Sequence, residues 1–457
     1  MYQQIYMDEY MYEYMDTDLE TETLECEYSE DLCDIILYLI DYININYPDI
    51  YVLSNYNDII CDNINDILCI QFQDINIDDD YLYELIIYNI EYYSEYIYNR
   101  SSKNSNIELY VDKEEIKKQL EYLKTIYQPE QRTDEWYNFR HEHLTASSLW
   151  KIFYSESSRN DLLSSKFYPL DINKYNNVNI NSPLHHGVKY ECLSVKWYEN
   201  EYNTQITEYG CIPHKEHDYI AASPDGINTY ENSNRYGRML EIKNIFNREI
   251  TGIPKNEYWI QMQLQMEVCD LDICDFLETR FIEYVNEEEF KNDGTFMYTH
   301  DNKIKGIIIL FIDLSGNPIY EYSPWKIKEP QFLKWEENIL IKYNKLNYNW
   351  FKNIYWKLDE ISCVLVKRNK YWFKRALNDI SIFWNQLNTS KKNNKLDIKK
   401  KKKRVKKKEQ SCILININNL INIYSLSESL SESLSESLPE SLPESLPESL
   451  PESLPES

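Results

Sequence analysis

The chain has 457 residues, 43% of them hydrophobic, and a formal charge of −28. That length accommodates two or three domains with a sizeable core, and the charge argues at first against a nucleic-acid partner. The acidity is local, however: Met1 to Asn99 holds 24 of the 76 acidic residues and no Lys or Arg, whereas residues 101–457 carry 47 basic against 52 acidic side chains.

Residues 1–110 form an acidic, Tyr/Ile/Asp-rich extension. Apolar patches such as DIILYLIDYI predict some helix; the acidity suits either a segment that keeps off DNA or mimics it, or simply a poorly ordered extension. The opening MYQQIYMDEY lacks a basic and an apolar signal region, so no secretory leader is expected. Ten Cys without a CxxC pair suit reduced thiols in an intracellular protein. The longest apolar run, GIIILFIDL from Gly306, is too short to span a bilayer and reads as a buried strand, so no membrane partner is expected.

Residues 111–325 read as the folded core. KEEIKKQLEYLKTIY, from Lys113, places Ile116, Leu120, Leu123 and Ile126 on one side of a helix that breaks at Pro129. HKEH at His214–His217 offers two His without further spaced ligands, which is poor ground for zinc. YIAASPDG reads as a strand ending in a Pro-Asp-Gly turn, and RMLEIKNIF as a second strand with Leu240 and Ile242 on one face and Glu241 and Lys243 on the other. If these strands pair, Asp225, Glu241 and Lys243 converge at one sheet end. Two carboxylates beside an ammonium can hold a hard divalent cation and a phosphate oxygen. Either motif alone is an ordinary turn or an exposed Glu–Lys pair.

Beyond Thr279, FIEYV, GIIILFID and PIYEYSPW read as strands, and residues 326–388 as a helical C-terminal part. There, Lys367, Arg368, Lys370, Lys374 and Arg375 interleave with Tyr371, Trp372 and Phe373. That pattern suits either a grip on nucleic acid or an amphipathic helix with its aromatics inward. Residues 389–457 join a lysine run around Arg404, either a solubilising or targeting tract or a phosphate anchor, to a SESL/PESL repeat that reads as disordered.

Taken in order, Asp225 and Glu241-x-Lys243 resemble the core of the PD-(D/E)XK nuclease superfamily. EWYNFRHEHLTASSL, HGVKYECLSVKWYENEYN, AASPDG, LEIKN and EYWIQMQLQMEV, over residues 130–320, resemble the YqaJ-type viral recombinases and phage lambda-type exonucleases. The resemblance implies an α/β restriction-endonuclease-like core, with a mixed central sheet flanked by helices. It implies Glu191, Asp225 and Glu241 as ligands of Mg²⁺ or Mn²⁺, Lys243 and Gln261 as catalytic, and Arg140, Ser147, Tyr258 and Gln265 as DNA-binding. In GVKYECLSVKWYE, Val188, Cys192 and Val195 are expected to face the core while Glu191 points to the sheet end.

The implied activity is hydrolysis of duplex DNA ends, 5′ to 3′, in viral replication or recombination. A single-strand annealing protein is the implied partner, a ring-shaped homo-oligomer the implied assembly, and the host cytoplasm, viral factory or virion the implied location. A structure-specific endonuclease and a non-catalytic DNA-binding scaffold are the alternatives. Two adjacent His precede Gly187 where similar phage enzymes commonly have an aromatic residue.

Overall fold

The computed structural model describes residues 27–71, 79–94, 102, 112–171, 180 and 182–396. The repeat tail and most of the lysine run lie outside the described residues. Contacts divide the chain into two units, Met1–Asn65 with Ile75–Lys402, and Asp66–Asp74 with Lys403–Ser457. Of the second, only residues 66–71, the end of one helix, are described.

The acidic extension is not an unstructured arm over its described part. It forms α1 (Glu27–Asn46), a 3-10 turn (Pro48–Val52), α2 (Tyr56–Gln71) and α3 (Asp79–Tyr92). On α1, Leu32, Ile36, Leu39, Ile40 and Ile43 recur at helical spacing and are all buried. Polar partners are satisfied as well: the Tyr93 hydroxyl donates to Asp41 at 2.9 Å. Burial of this Ile/Leu stripe outweighs the repulsion among exposed carboxylates, which solvent screens.

The helix predicted at Lys113 is α4 (Lys113–Thr125), capped by Asp112, whose side chain accepts from the backbone of Glu114 and Glu115. It is followed by α5 (Asp134–Glu142), β1 (Leu144–Thr145), the single turns α6 (Ala146–Leu149) and α7 (Lys151–Tyr154), α8 (Glu156–Phe167) and α9 (Pro183–Glu201). Five strands then come in succession: β2 (Ile206–Thr207), β3 (Ile212–Pro213), β4 (Ile220–Ala222), β5 (Gly226–Asn228) and β6 (Met239–Asn244). The remainder alternates α10 (Asn256–Cys269), β7 (Ile273–Glu283), α11 (Glu287–Asn292), β8 (Lys305–Ile312), β9 (Pro318–Tyr322), α12 (Glu329–Lys345), β10 (Asn349–Lys367) and α13 (Lys370–Lys392).

The main sheet has the order β2-β5-β6-β7-β10-β8-β9, with β6 and β7 parallel and the other pairs antiparallel. A small sheet, β1-β4-β3, stands apart from it. The strand β10 corrects the expectation of a wholly helical C-terminal part: it runs for 19 residues and pairs with both β7 and β8. Ile354, Trp356 and Leu358 are buried at period two, the signature of a strand, and the sheet therefore extends well past residue 325.

Helix α9 covers one face of this sheet. Tyr190, Leu193, Trp197 and Tyr198 pack against Leu240, Ile242, Leu277, Phe281 and Trp356. The expected facing of α9 is wrong in part: Val188 and Cys192 are exposed. The larger rings at positions 190, 197 and 198 bury more apolar area than Val and Cys could, and they fix the helix rotation. Helix α10 is buried nearly all round, with Trp259, Ile260, Met262, Leu264 and Met266 packed between the small sheet and α13 and Gln263 and Gln265 buried among them. No described helix is long and apolar enough to cross a membrane.

Candidate active site

Asp225 is tied to the strand of Glu241 through a geometry slightly different from the one expected. Strand β4 belongs to the small sheet, and the partner of β6 is β5, beyond the Pro-Asp-Gly turn. Gly226 pairs with Leu240 and Ile227 with Met239, so Asp225 stands at the switch between the two sheets. Only glycine fits after it, because a Cβ on Gly226 would come within 2.2 Å of the Ile206 side chain on β2. Asp225 Oδ2 accepts from the backbone N–H of Ile242 at 2.7 Å, which pins the turn to the active strand.

Strand alternation turns Leu240 and Ile242 toward α9 and Glu241 and Lys243 toward α10. Glu241 is fully buried. Its Oε1 accepts from Lys243 Nζ in a short ion pair and from Gln261 Nε2 at 2.7 Å; its Oε2 accepts from Gln265 Nε2 at 2.8 Å. Gln261 and Gln265 lie one turn apart on α10, and Tyr258, one turn earlier, places its ring 5.0 Å from the Lys243 ammonium. Gln265 Oε1 is buried without a hydrogen-bond partner.

Glu191, on α9, is held by Arg132 at 2.7 Å. Among the described residues no group of three His, Cys, Asp or Glu is gathered as a ready metal site. The three acidic groups nevertheless feel one another. Burial raises Asp225 well above the usual carboxylate range, and the charges of Glu241 and Glu191 add to it. Glu191 is raised by burial too, with Arg132 opposing and Glu208 and Glu241 adding. Burial opposes the charge on Lys243, but Glu241 and Asp225 outweigh it and lift the ammonium above its ordinary value. All three acidic side chains offer carboxylate oxygens, the donor type that hard divalent cations take.

A second cluster lies on α5 and α6. Arg140 donates to Ser147 Oγ at 2.9 Å and its guanidinium sits 4.2 Å over the Trp136 ring. Trp136 Nε1 reaches Ser223 Oγ at 3.4 Å, two residues before Asp225, which links this cluster to the carboxylates. Lys166, buried on α8, caps α5 by donating to the carbonyls of Arg140 and His143.

Several site residues escape the sequence. Arg132 occupies a left-handed turn with φ 66°, and nothing in QPEQRTDEW announces its pairing with Glu191. Ser223 lies inside the quoted AASPDG, where its Ser-Pro position was the available signal. Arg235 and Arg238 bury an ion-pair network with Asp275 of β7, which also accepts from the Tyr198 hydroxyl at 2.5 Å and locks the β5–β6 hairpin. His214, of the HKEH segment, accepts at Nδ1 from the backbone of Glu216 and His217, a turn-forming role.

Asp225 at the turn before β5, and Glu241 and Lys243 on the neighbouring β6, are the residues that carry the resemblance read in the sequence. Residues 135–272 match the model of the YqaJ-like viral recombinase domain. The chain is also 31% identical over 316 residues to uncharacterized protein R354 of Acanthamoeba polyphaga mimivirus. That match spans 61% of this chain and 56% of the relative, about half the relative's length. Among solved structures, an alkaline exonuclease (LHK-Exo) from Laribacter hongkongensis aligns at 18% identity with a TM-score of 0.34, covering 57% of this chain and 96% of that one. The same enzyme in complex with dAMP aligns at 17% identity and the same TM-score and coverage.

Proposed function

We propose that the chain is a metal-dependent deoxyribonuclease that hydrolyses phosphodiester bonds at duplex DNA ends, 5′ to 3′, in viral DNA replication or recombination. The observation that carries this reading is the buried Glu241, held by Lys243, Gln261 and Gln265 beside the raised carboxyl of Asp225. Such an arrangement is costly as pure structure, because a fully buried carboxylate next to a second one is destabilising without a further partner. Sites of chemistry are where such costs persist.

In this reading Glu191, Asp225 and Glu241 hold Mg²⁺ or Mn²⁺. When bound, the cation supplies positive charge to the phosphate oxygens and lowers the pKa of water. Lys243 stays charged at neutral pH, so it acts as a donor to the developing phosphorane charge rather than as a base. Gln261 and Gln265 present amide groups that orient water or a phosphate oxygen, and Tyr258 holds the Lys243 ammonium over its ring. Arg140 and Ser147 bind a DNA phosphate at the substrate end, with the Arg140 guanidinium held over the Trp136 ring. A single-strand annealing protein receives the product, and a homo-oligomeric ring encloses the duplex.

The test is a time course on end-labelled linear and closed circular duplexes with Mg²⁺ or Mn²⁺. The linear duplex is expected to be degraded from its ends, and Lys243→Ala or Asp225→Asn to lower the rate by about a thousandfold or more. Cleavage of the closed circle at a comparable rate would instead show an endonuclease. An intact linear duplex with both cations would remove the enzyme reading.

A further inference from the structure

We propose that the outer face of the helical run after β1 grips an unpaired nucleotide of DNA beside the Arg140–Ser147 pair, through Trp150, Lys151 and Tyr154. The grip rests on the nuclease reading above for its substrate. The turns α6 and α7 are nearly continuous, because Trp150 between them keeps helical dihedrals, φ −52° and ψ −26°. Ser147, Trp150, Lys151 and Tyr154 therefore fall at i, i+3, i+4 and i+7, on one face. The opposite face is anchored. Leu149 is fully buried, Phe153 meets Trp372 of α13 edge-on at 5.7 Å, and α6 packs against α10, the helix that carries Gln261 and Gln265.

The outer face presents two rings and a cation, one to two turns beyond the hydroxyl that Arg140 engages. Trp150 and Tyr154 meet edge-on at 5.6 Å and 79°, and Lys151 Nζ lies 5.9 Å from the centre of the Trp150 ring. Tyr154 is 70% exposed, so the fold does not use its ring as core. Lys151 forms no ion pair among the described residues. Lys166, on the neighbouring α8, is lowered by burial first and then by the charge of Arg140, with Lys391 and Lys151 adding and the Cys211 thiol opposing. The charges that act on it most include no carboxylate, so this part of the surface gathers cations without their counter-charge.

The chemistry selects the occupant. Bases inside a duplex are covered by their neighbours, so a protein ring stacks only on a base that has left the stack, at a frayed end or in a single strand. A cation beside that ring neutralises the phosphate that the base carries with it. Ser147 and Tyr154 are about 10 Å apart along the helix axis, room for a nucleotide to span the two. An acidic peptide would engage the cation and leave both rings unused.

The experiment uses the full chain in EDTA and two labelled single strands of equal length, one of thymidines and one of abasic residues, followed by fluorescence anisotropy across a salt series. Wild type is expected to favour the strand with bases by about tenfold. Tyr154→Ala should lose most of that preference, and Tyr154→Phe should keep it. Lys151→Ala should weaken both strands alike and lower the slope of log affinity against log salt by about 0.7. No preference in wild type, an equal preference in Tyr154→Ala, or an unchanged slope in Lys151→Ala would overturn the grip. Displacement of the strand by poly-glutamate at equal charge would assign the face to an acidic peptide and overturn it too. Should thermal unfolding show Tyr154→Ala to be misfolded, Tyr154→Leu keeps the apolar bulk without the flat ring and answers the same question. Binding is read without a divalent cation, so the two readings fail separately. A Tyr154-dependent preference with no cleavage of linear duplex in Mg²⁺ would sink the nuclease reading and leave the grip; cleavage without the preference would do the reverse.

Discussion

Glu241, Lys243 and Lys166 show how burial acts on single charged groups. Glu241 has no exposed surface, and three donors share its two oxygens, so removing any one of them leaves lone pairs unsatisfied in a poorly solvated place. Lys166 is the opposite case, a buried ammonium that donates to the carbonyls of Arg140 and His143 and forms no ion pair with a carboxylate among the described residues. Burial first, then the charge of Arg140, lowers it from 10.5 to about 7. Between those values the unfolded chain binds the proton and the folded chain does not, so stability contributed by this residue rises with pH. The unfolding free energy of wild type relative to Lys166→Met is expected to increase from pH 7 toward 10.5, by at most about 1.4 kcal/mol per unit. A flat difference in urea unfolding across that range would show Lys166 to be charged throughout.

Elements meet at a few polar hinges between otherwise apolar faces. Asn369 is one: it caps α13 by accepting from Trp372 N–H at 2.9 Å, its backbone N–H donates to Gln263 at 2.6 Å, and its amide donates to Asn44 of α1 at 3.0 Å. The acidic extension is thereby joined to α13 and, through Gln263, to α10. Asn369→Ala removes a helix cap and strands the Asn44 carbonyl, with an expected cost of about 2 kcal/mol. Urea unfolding measures that cost, and limited proteolysis is expected to reach α1 sooner in the variant. The interleaved Lys and aromatic residues of α13 resolve here too: Trp372 and Phe373 pack inward while Tyr371 stays exposed.

At the scale of the whole first unit, the described part of the acidic segment that lies in this unit is part of the fold. Arg375 of α13 pairs with Asp49 and donates to the Asn46 carbonyl. A chain lacking residues 1–94 uncovers the α13 surface that α1 and the Pro48–Val52 turn occupy, and it is expected to unfold at lower urea or to aggregate. A truncation that is monodisperse and equally stable would refute that view. The active strand itself is set from a distance: β6 is held parallel to β7, and β7 by the long β10 that the sequence had suggested was helix.

The sequence by itself determined the chemistry of the candidate site and the order of its parts. Asp225 before Glu241-x-Lys243, and Tyr258, Gln261 and Gln265 on one helix face, are legible because strand and helix periodicities are local properties. Tertiary structure decided which partners those residues meet. Asp225 reaches β6 through β5 rather than β4, Glu191 is met by Arg132 from a left-handed turn, and α9 turns its rings rather than Val188 and Cys192 to the core. These depend on contacts between segments far apart in the chain, where buried area and the need to satisfy buried charges select among locally equivalent arrangements, and no spacing rule contains that information.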